Sequence, residues 1–148
     1  MAMVAAVAAV AITALGQMKE GADAEAAGKF SARQQIRNAK ASKAEGARGA
    51  IEARRQGDRT ASDASAAMVA SGGVTDDVGA IKTLSKIKEV SEYNALVSIY
   101  KGDQRSQTQM LQAQMDKLAG KNKKESSYIK AAGTAIGGAS NAYKMSGT

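Results

Sequence analysis

The sequence contains no cysteine, no histidine, no tryptophan and no proline, and it has a single phenylalanine, Phe30. Without cysteine there is no disulfide framework, thiol nucleophile or cysteine zinc site. Without histidine the commonest general base and metal ligand is missing. The 14 carboxylates are mostly interspersed with Lys and Arg at one to four residues, as on solvated helix faces. Asp76 and Asp77 are adjacent, but they follow a Gly-Gly pair, where helix N-caps belong. No enzyme, metal or cofactor is expected. Large core-forming side chains are scarce too: Leu, Ile, Val and Phe number 22 of 148 residues, against 32 Ala and 15 Gly. Such a composition reads as disorder, or as folding only within an assembly. Average usage would place roughly seven prolines in a chain of this length. Their absence from an alanine-rich sequence favours long helices that find partners in other copies or other proteins.

What the chain does have is charge and small residues in an ordered layout. With 21 basic and 14 acidic residues it carries a net charge of +7. Residues 1–18 are an uncharged apolar segment that includes Val4, Val7, Val10, Ile12 and Leu15. The run is shorter than the roughly 20 residues of a spanning helix. It reads as a helix packed in an oligomer or inserted in a membrane. Ala14-Leu15-Gly16 resembles a signal-peptide cleavage site, but no Lys or Arg precedes the apolar run.

Residues 19–70 form the first long helix. A 4-3 register of small residues runs through Ala32, Ile36, Ala39, Lys43, Gly46, Ala50, Ala53 and Gly57 to Thr60, Ala64 and Ala67. This is the coiled-coil period, and small residues let two backbones approach closely. On the same helix Lys29, Arg33, Arg37, Lys40, Lys43, Arg48, Arg54, Arg55 and Arg59 fall within roughly 160° of arc at about 100° per residue. Asp58 interrupts this face, and Glu45 and Glu52 lie at its edge. The stripe suits a polyanion, either double-stranded DNA or anionic lipid head groups. A solvated helix face gives the same pattern. No aromatics interleave with it, so contact independent of base sequence is the expectation.

A turn is expected over residues 71–76 and a second long helix over 77–119, the two helices forming an antiparallel hairpin. In the second helix a 4-3 seam passes through Tyr93, Val97, Tyr100, Gln104, Gln107, Leu111, Gln114 and Leu118. Its three glutamines suit hydrogen-bonded layers across several chains, a wet lumen, or a loosely packed hairpin end. Residues 120–127, opening with Gly-Lys-Asn-Lys-Lys, read as a basic linker that ends this helix. Residues 128–148 are a small-residue segment with Gly133, Ile136 and Gly137, in which the two glycines make a GxxxG spacing for close helix contact. The fold class is therefore all-α: an extended antiparallel helical hairpin with Ala/Gly-rich apolar ends, working as an oligomer.

Along its whole length this layout resembles the small internal virion proteins, or ejection proteins, of short-tailed bacteriophages. The resemblance lies in an apolar start leading to Ala14-Leu15-Gly16-Gln17 and a proline-free Ala/Gln/Arg helix. It continues through the break Ala70-Ser71-Gly72-Gly73-Val74, then Glu89, Glu92 and Ile99-Tyr100-Lys101-Gly102-Asp103, to a small-residue tail from Ala131 to Tyr143. The chain departs from the pattern at Ser98, where an Arg is expected, and in its short length. The resemblance implies a protein held in the virion interior with other internal virion proteins near the portal and tail. It would be released into the host envelope, at outer-membrane lipid, to help form a conduit for DNA. Two other readings fit the residues: a DNA-binding or DNA-compacting protein, and a purely structural helical component of a virion or secretion needle.

Overall fold

The computed structural model describes the backbone of residues 2–74 and 77–146, and the side chains of residues 11–74, 77–137 and 140. It is an all-helical hairpin: α1 spans Ala2–Ala70 and α2 spans Val78–Ser146. The elements follow from composition. Alanine is the best helix former, and no proline interrupts either helix. Several hydroxyls that compete with helical hydrogen bonds are folded back onto their own helix: Thr60, Thr83, Ser98, Thr108 and Thr134 donate to the carbonyl four residues before, at 2.9–3.0 Å.

The helices are joined where the sequence breaks. Gly72 takes φ +81°, the left-handed conformation that only glycine adopts without strain. The Gly73 amide donates to the Met68 carbonyl at 3.0 Å and the Gly72 amide to the Val69 carbonyl at 3.0 Å. This pair of bonds ties off the orphan carbonyls at the end of α1. On the far side Asp77 caps α2: its Oδ2 accepts from the Gly79 amide at 3.2 Å, and its carbonyl accepts from Ile81 at 3.0 Å. The other cap candidates, Thr75 and Asp76, lie outside the described residues.

Two parts of the sequence reading are corrected. Residues 120–127 are not a linker, because α2 continues through them. Gly120 does not stop the helix. It is buried, and a Cβ there would lie 3.0 Å from the Ala24 carbonyl oxygen and 3.2 Å from the Gly28 Cα. The end segments are likewise not separate elements: 2–18 belong to α1 and 128–146 to α2.

The chain divides into two compact units, residues 1–36 with 111–148, and residues 37–110. In the 37–110 unit α1 turns Ala39, Gly46, Ala50 and Gly57 inward, and α2 answers with Ala80, Ser91, Ala95 and Gly102. The two backbones approach so closely that a Cβ on Gly46 would sit 2.8 Å from the Ser98 carbonyl oxygen and 2.9 Å from the Gly102 Cα. In the other unit Gly21, Gly28 and Ala32 face Ala113, Gly120, Ser127 and Ala131 in the same way. Every buried apolar residue described is an alanine, and no large side chain is fully buried.

The inward positions recur at about 3.6 residues, the natural period of an α-helix, rather than the 3.5 of the expected seam. Ala32, Ala39, Gly46, Ala50, Ala53 and Gly57 therefore lie at or beside the contact, but Ile36 is 37% exposed and its neighbour Gln35 is half-buried instead. On α2 the correction is larger. Tyr93, Tyr100, Leu111 and Leu118 are exposed and Val97 is half-buried, so this register does not face α1. The physical reason is space, since a contact tight enough to exclude a Cβ has no room for Tyr or Leu.

The close approach makes a two-sided prediction. Gly46→Ala destabilises the fold by about 1–3 kcal/mol through overpacking against backbone. Gly133→Ala stabilises it by about 0.5–1 kcal/mol, because a Cβ there meets nothing within 4 Å. Thermal unfolding followed by circular dichroism measures both, and a stabilising Gly46→Ala would contradict the packing.

Candidate functional site

Three kinds of surface carry chemistry: the outer side of α1, the ion pairs along the helix contact, and the outer side of α2. In the 37–110 unit, Arg37, Lys40, Arg48, Arg55 and Arg59 are all exposed, and none makes an ion pair with a described residue. They occupy about 100° of arc on the side of α1 turned away from α2, over about 33 Å of helix. Asp58 lies on the margin of this arc. In the other unit Arg33 is exposed and unpaired in the same way.

The remaining members of the basic stripe are engaged. Arg54 forms a two-pronged bond to Glu92, at 2.8 Å from Nε and 2.7 Å from its terminal nitrogen. This pair holds the Glu92 carboxyl below its usual range and raises the Arg54 guanidinium. Lys43 reaches Asp103 at 3.7 Å. Lys29 pairs with Glu25 at 2.6 Å, and Lys124 of α2 binds the other oxygen of Glu25, also at 2.6 Å. Lys124 in turn lies 5.9 Å from the centroid of the Tyr128 ring. Hydrogen bonds from Lys124 and then Lys29 lower the Glu25 carboxyl to about 2, and the same bond raises Lys124. Further hydrogen bonds complete the contact: Ser31 donates to the Asp116 carboxylate at 2.6 Å and Thr134 to Gln17 at 3.2 Å in one unit, Ser42 to Gln109 at 3.0 Å in the other.

The outer side of α2 is different in character. In the 37–110 unit it carries Tyr93, Leu96 and Tyr100 with Gln104 and Gln107, and in the other unit Leu111, Gln114, Met115 and Leu118, all exposed. Among the residues read as membrane-facing, Ile12, Leu15 and Ile136 are about 70% exposed. Gly133 and Gly137 have nothing near a built Cβ. The side chains of Val4, Val7 and Val10 lie outside the described residues. Among the described residues no helix is long and apolar enough to cross a membrane, and no cluster of acidic residues could hold a metal ion. A shallow groove of about 310 Å³ in the 37–110 unit is lined by Ala53, Gly57, Ile87 and Val90. Its one ionisable group, Lys86, is paired with Glu89.

The glycines that set the helix contact were not singled out on α2. A signal for them exists in the sequence. Gly28 and Gly46 lie as far before Val74, in the turn, as Gly120 and Gly102 lie after it. An antiparallel hairpin folded at Val74 must bring such mirror positions together, and in each unit it does.

The ion pairs predict acid sensitivity. Glu25, with its carboxyl at about 2 when folded against an ordinary 4.5, contributes stability that is fully present above pH 4.5 and lost as pH falls toward 2. Glu92, also lowered, acts in the same direction. The melting temperature is expected to drop across this window. Glu25→Gln flattens this drop: its melting temperature lies below that of the unmodified protein near neutral pH and converges on it near pH 2, as a pH series of melts checks.

No protein-family model, curated protein or solved structure matches the chain.

Proposed function

We propose that the chain is an internal virion protein of a short-tailed bacteriophage, released from the virion interior into the host envelope to help form a conduit for the genome. One observation carries the reading beyond the resemblance in layout: the buried positions described are alanine, glycine and serine, while most of the large apolar side chains are exposed and none is fully buried. Burying a methyl group contributes only about 0.8 kcal/mol, so little packing must be undone for the chain to pass through a narrow tail. The exposed Tyr, Leu and Ile side chains are then free to meet lipid or other protein in the envelope. The partners of this reading are further copies of the chain, other internal virion proteins, the portal and tail, and lipid of the host outer membrane.

A second reading, sequence-independent binding of double-stranded DNA, is favoured by the unpaired cations on the outer side of α1. It is compatible with the first, since packaged or passing DNA would lie beside the protein.

Each reading has its own measurement. Full-length protein is expected to release dye from vesicles of phosphatidylethanolamine, phosphatidylglycerol and lipopolysaccharide. A chain starting at Lys19 should release at least tenfold less at equal concentration. Full-length protein that neither binds nor permeabilises these vesicles overturns the membrane part of the proposal. For DNA, the triple variant Arg37→Gln, Arg48→Gln, Arg55→Gln is expected to reduce the slope of log affinity against log salt by about 2–3, at roughly 0.9 per phosphate contact. An unchanged slope removes this face from the DNA reading.

A further inference from the structure

In the unit of residues 1–36 and 111–148, the side of α2 turned away from α1 carries an apolar strip with a basic border. Leu111, Met115, Leu118, Ile129 and Ile136 are each 58–73% exposed. At about 100° and 1.5 Å per residue they share roughly 60° of arc over about 38 Å of helix. They face away from Ala113, Gly120, Ser127 and Ala131, the buried positions of the same stretch. Exposed lysines stand on both flanks, Lys117 and Lys121 on one and Lys123 and Lys130 on the other, roughly 80–120° from the centre of the strip. Lys117, Lys123 and Lys130 make no ion pair with a described residue, and Lys121 only reaches Glu125 at 3.8 Å. The other acid of this stretch, Asp116, is held by Ser31 and Gln112.

We infer that this side of α2 lies flat on a lipid surface rich in anionic phospholipid. Its Leu, Met and Ile side chains enter among the acyl chains, and its lysines sit at the head-group phosphates. The inference rests on the membrane part of the proposed function, and names the face and the lipid. A lysine beside an apolar strip buries its stem and keeps its ammonium in the polar layer. Helices that lie in the plane of a membrane interface are built in this way. Charge complementarity decides the occupant. A second copy seated on the strip would press lysine borders against each other, whereas lipid phosphates neutralise them. DNA phosphates would meet the lysines and leave the apolar strip in water. The orientation follows from length and apolarity: no described helix is long and apolar enough to cross a membrane. The opposite side of the same unit is less suited, because Lys19 and Asp23 stand between Leu15 and Phe30 on the outer side of α1.

The absence of tryptophan makes the test clean. In full-length Ile129→Trp, fluorescence is expected to move to shorter wavelength on vesicles of phosphatidylglycerol and phosphatidylcholine, and to be quenched by lipid brominated on its acyl chains. Full-length Phe30→Trp, on the outer side of α1, should stay open to iodide on the same vesicles. Lys123→Gln with Lys130→Gln is expected to weaken vesicle binding at least tenfold. Removing two charges elsewhere, as Arg48→Gln with Arg55→Gln, should weaken it less. Circular dichroism confirms that each variant keeps its helices. Protein that binds the vesicles while the tryptophan of Ile129→Trp stays open to iodide overturns this inference alone. So does a shift at Phe30→Trp as large as that at Ile129→Trp, and so does an arginine pair that matters as much as the lysine pair. Protein that does not bind these vesicles at all overturns the membrane reading as well.

Discussion

The closest approach of the two helices, where Gly46 meets Gly102 and where Gly28 meets Gly120, governs the rest of the molecule. At these points there is no space for a methyl group without a clash against backbone. Helices this near touch through their main chains, and the attraction comes from many small dispersion contacts rather than from a few large buried side chains. Every neighbouring inward position is then limited to Ala, Ser or Gly, or to a polar side chain that finds a hydrogen bond. Ser31 with Asp116 and Ser42 with Gln109 show the second solution. No buried side-chain polar atom among the described residues lacks a partner, so this narrow interior costs nothing in unsatisfied groups.

A contact made of small residues is smooth, and smoothness leaves register poorly defined. Alanine and glycine recur so often that sliding one helix by two or three turns would again place small against small. Directional bonds supply what shape does not. Arg54 grips both oxygens of Glu92, and Glu25 is held by Lys124 from the opposite helix. Exposed pairs of this kind contribute little net stability. Their effect lies in the difference between registers: a slipped hairpin would lose the fork on Glu92 and force mismatched glycines against Cβ atoms elsewhere.

Much of this was legible in the residues. Two long helices, the turn at Gly72 and the cap at Asp77 follow from composition, from glycine's tolerance of positive φ and from N-cap chemistry. The small-residue face of α1 was also readable, because its alternatives are charged. The facing side of α2 was not. The usual rule sends the largest apolar residues inward, and Tyr93, Tyr100, Leu111 and Leu118 obey a coiled-coil spacing well enough to invite that reading. The rule fails when backbones touch, because only residues without bulk then fit. Gly120 misled for a related reason: glycine followed by lysines and asparagine usually ends a helix, but here the missing side chain serves a neighbouring backbone. The mirror placement of glycines about Val74 was the available signal, and it depends on knowing where the chain folds back.

The same geometry assigns different tasks to the two sides of α2. Small residues on one side close the hairpin, and Tyr, Leu and Gln on the other remain in water at a cost of about 25 cal/mol for each Å² of apolar surface left uncovered. A monomer gains nothing from that exposure. Covered by lipid or by further copies of the chain, it becomes the larger source of apolar burial, so folding is linked to the concentration of those partners. Such a chain is held together most firmly where its partners are crowded and least firmly when they are dilute.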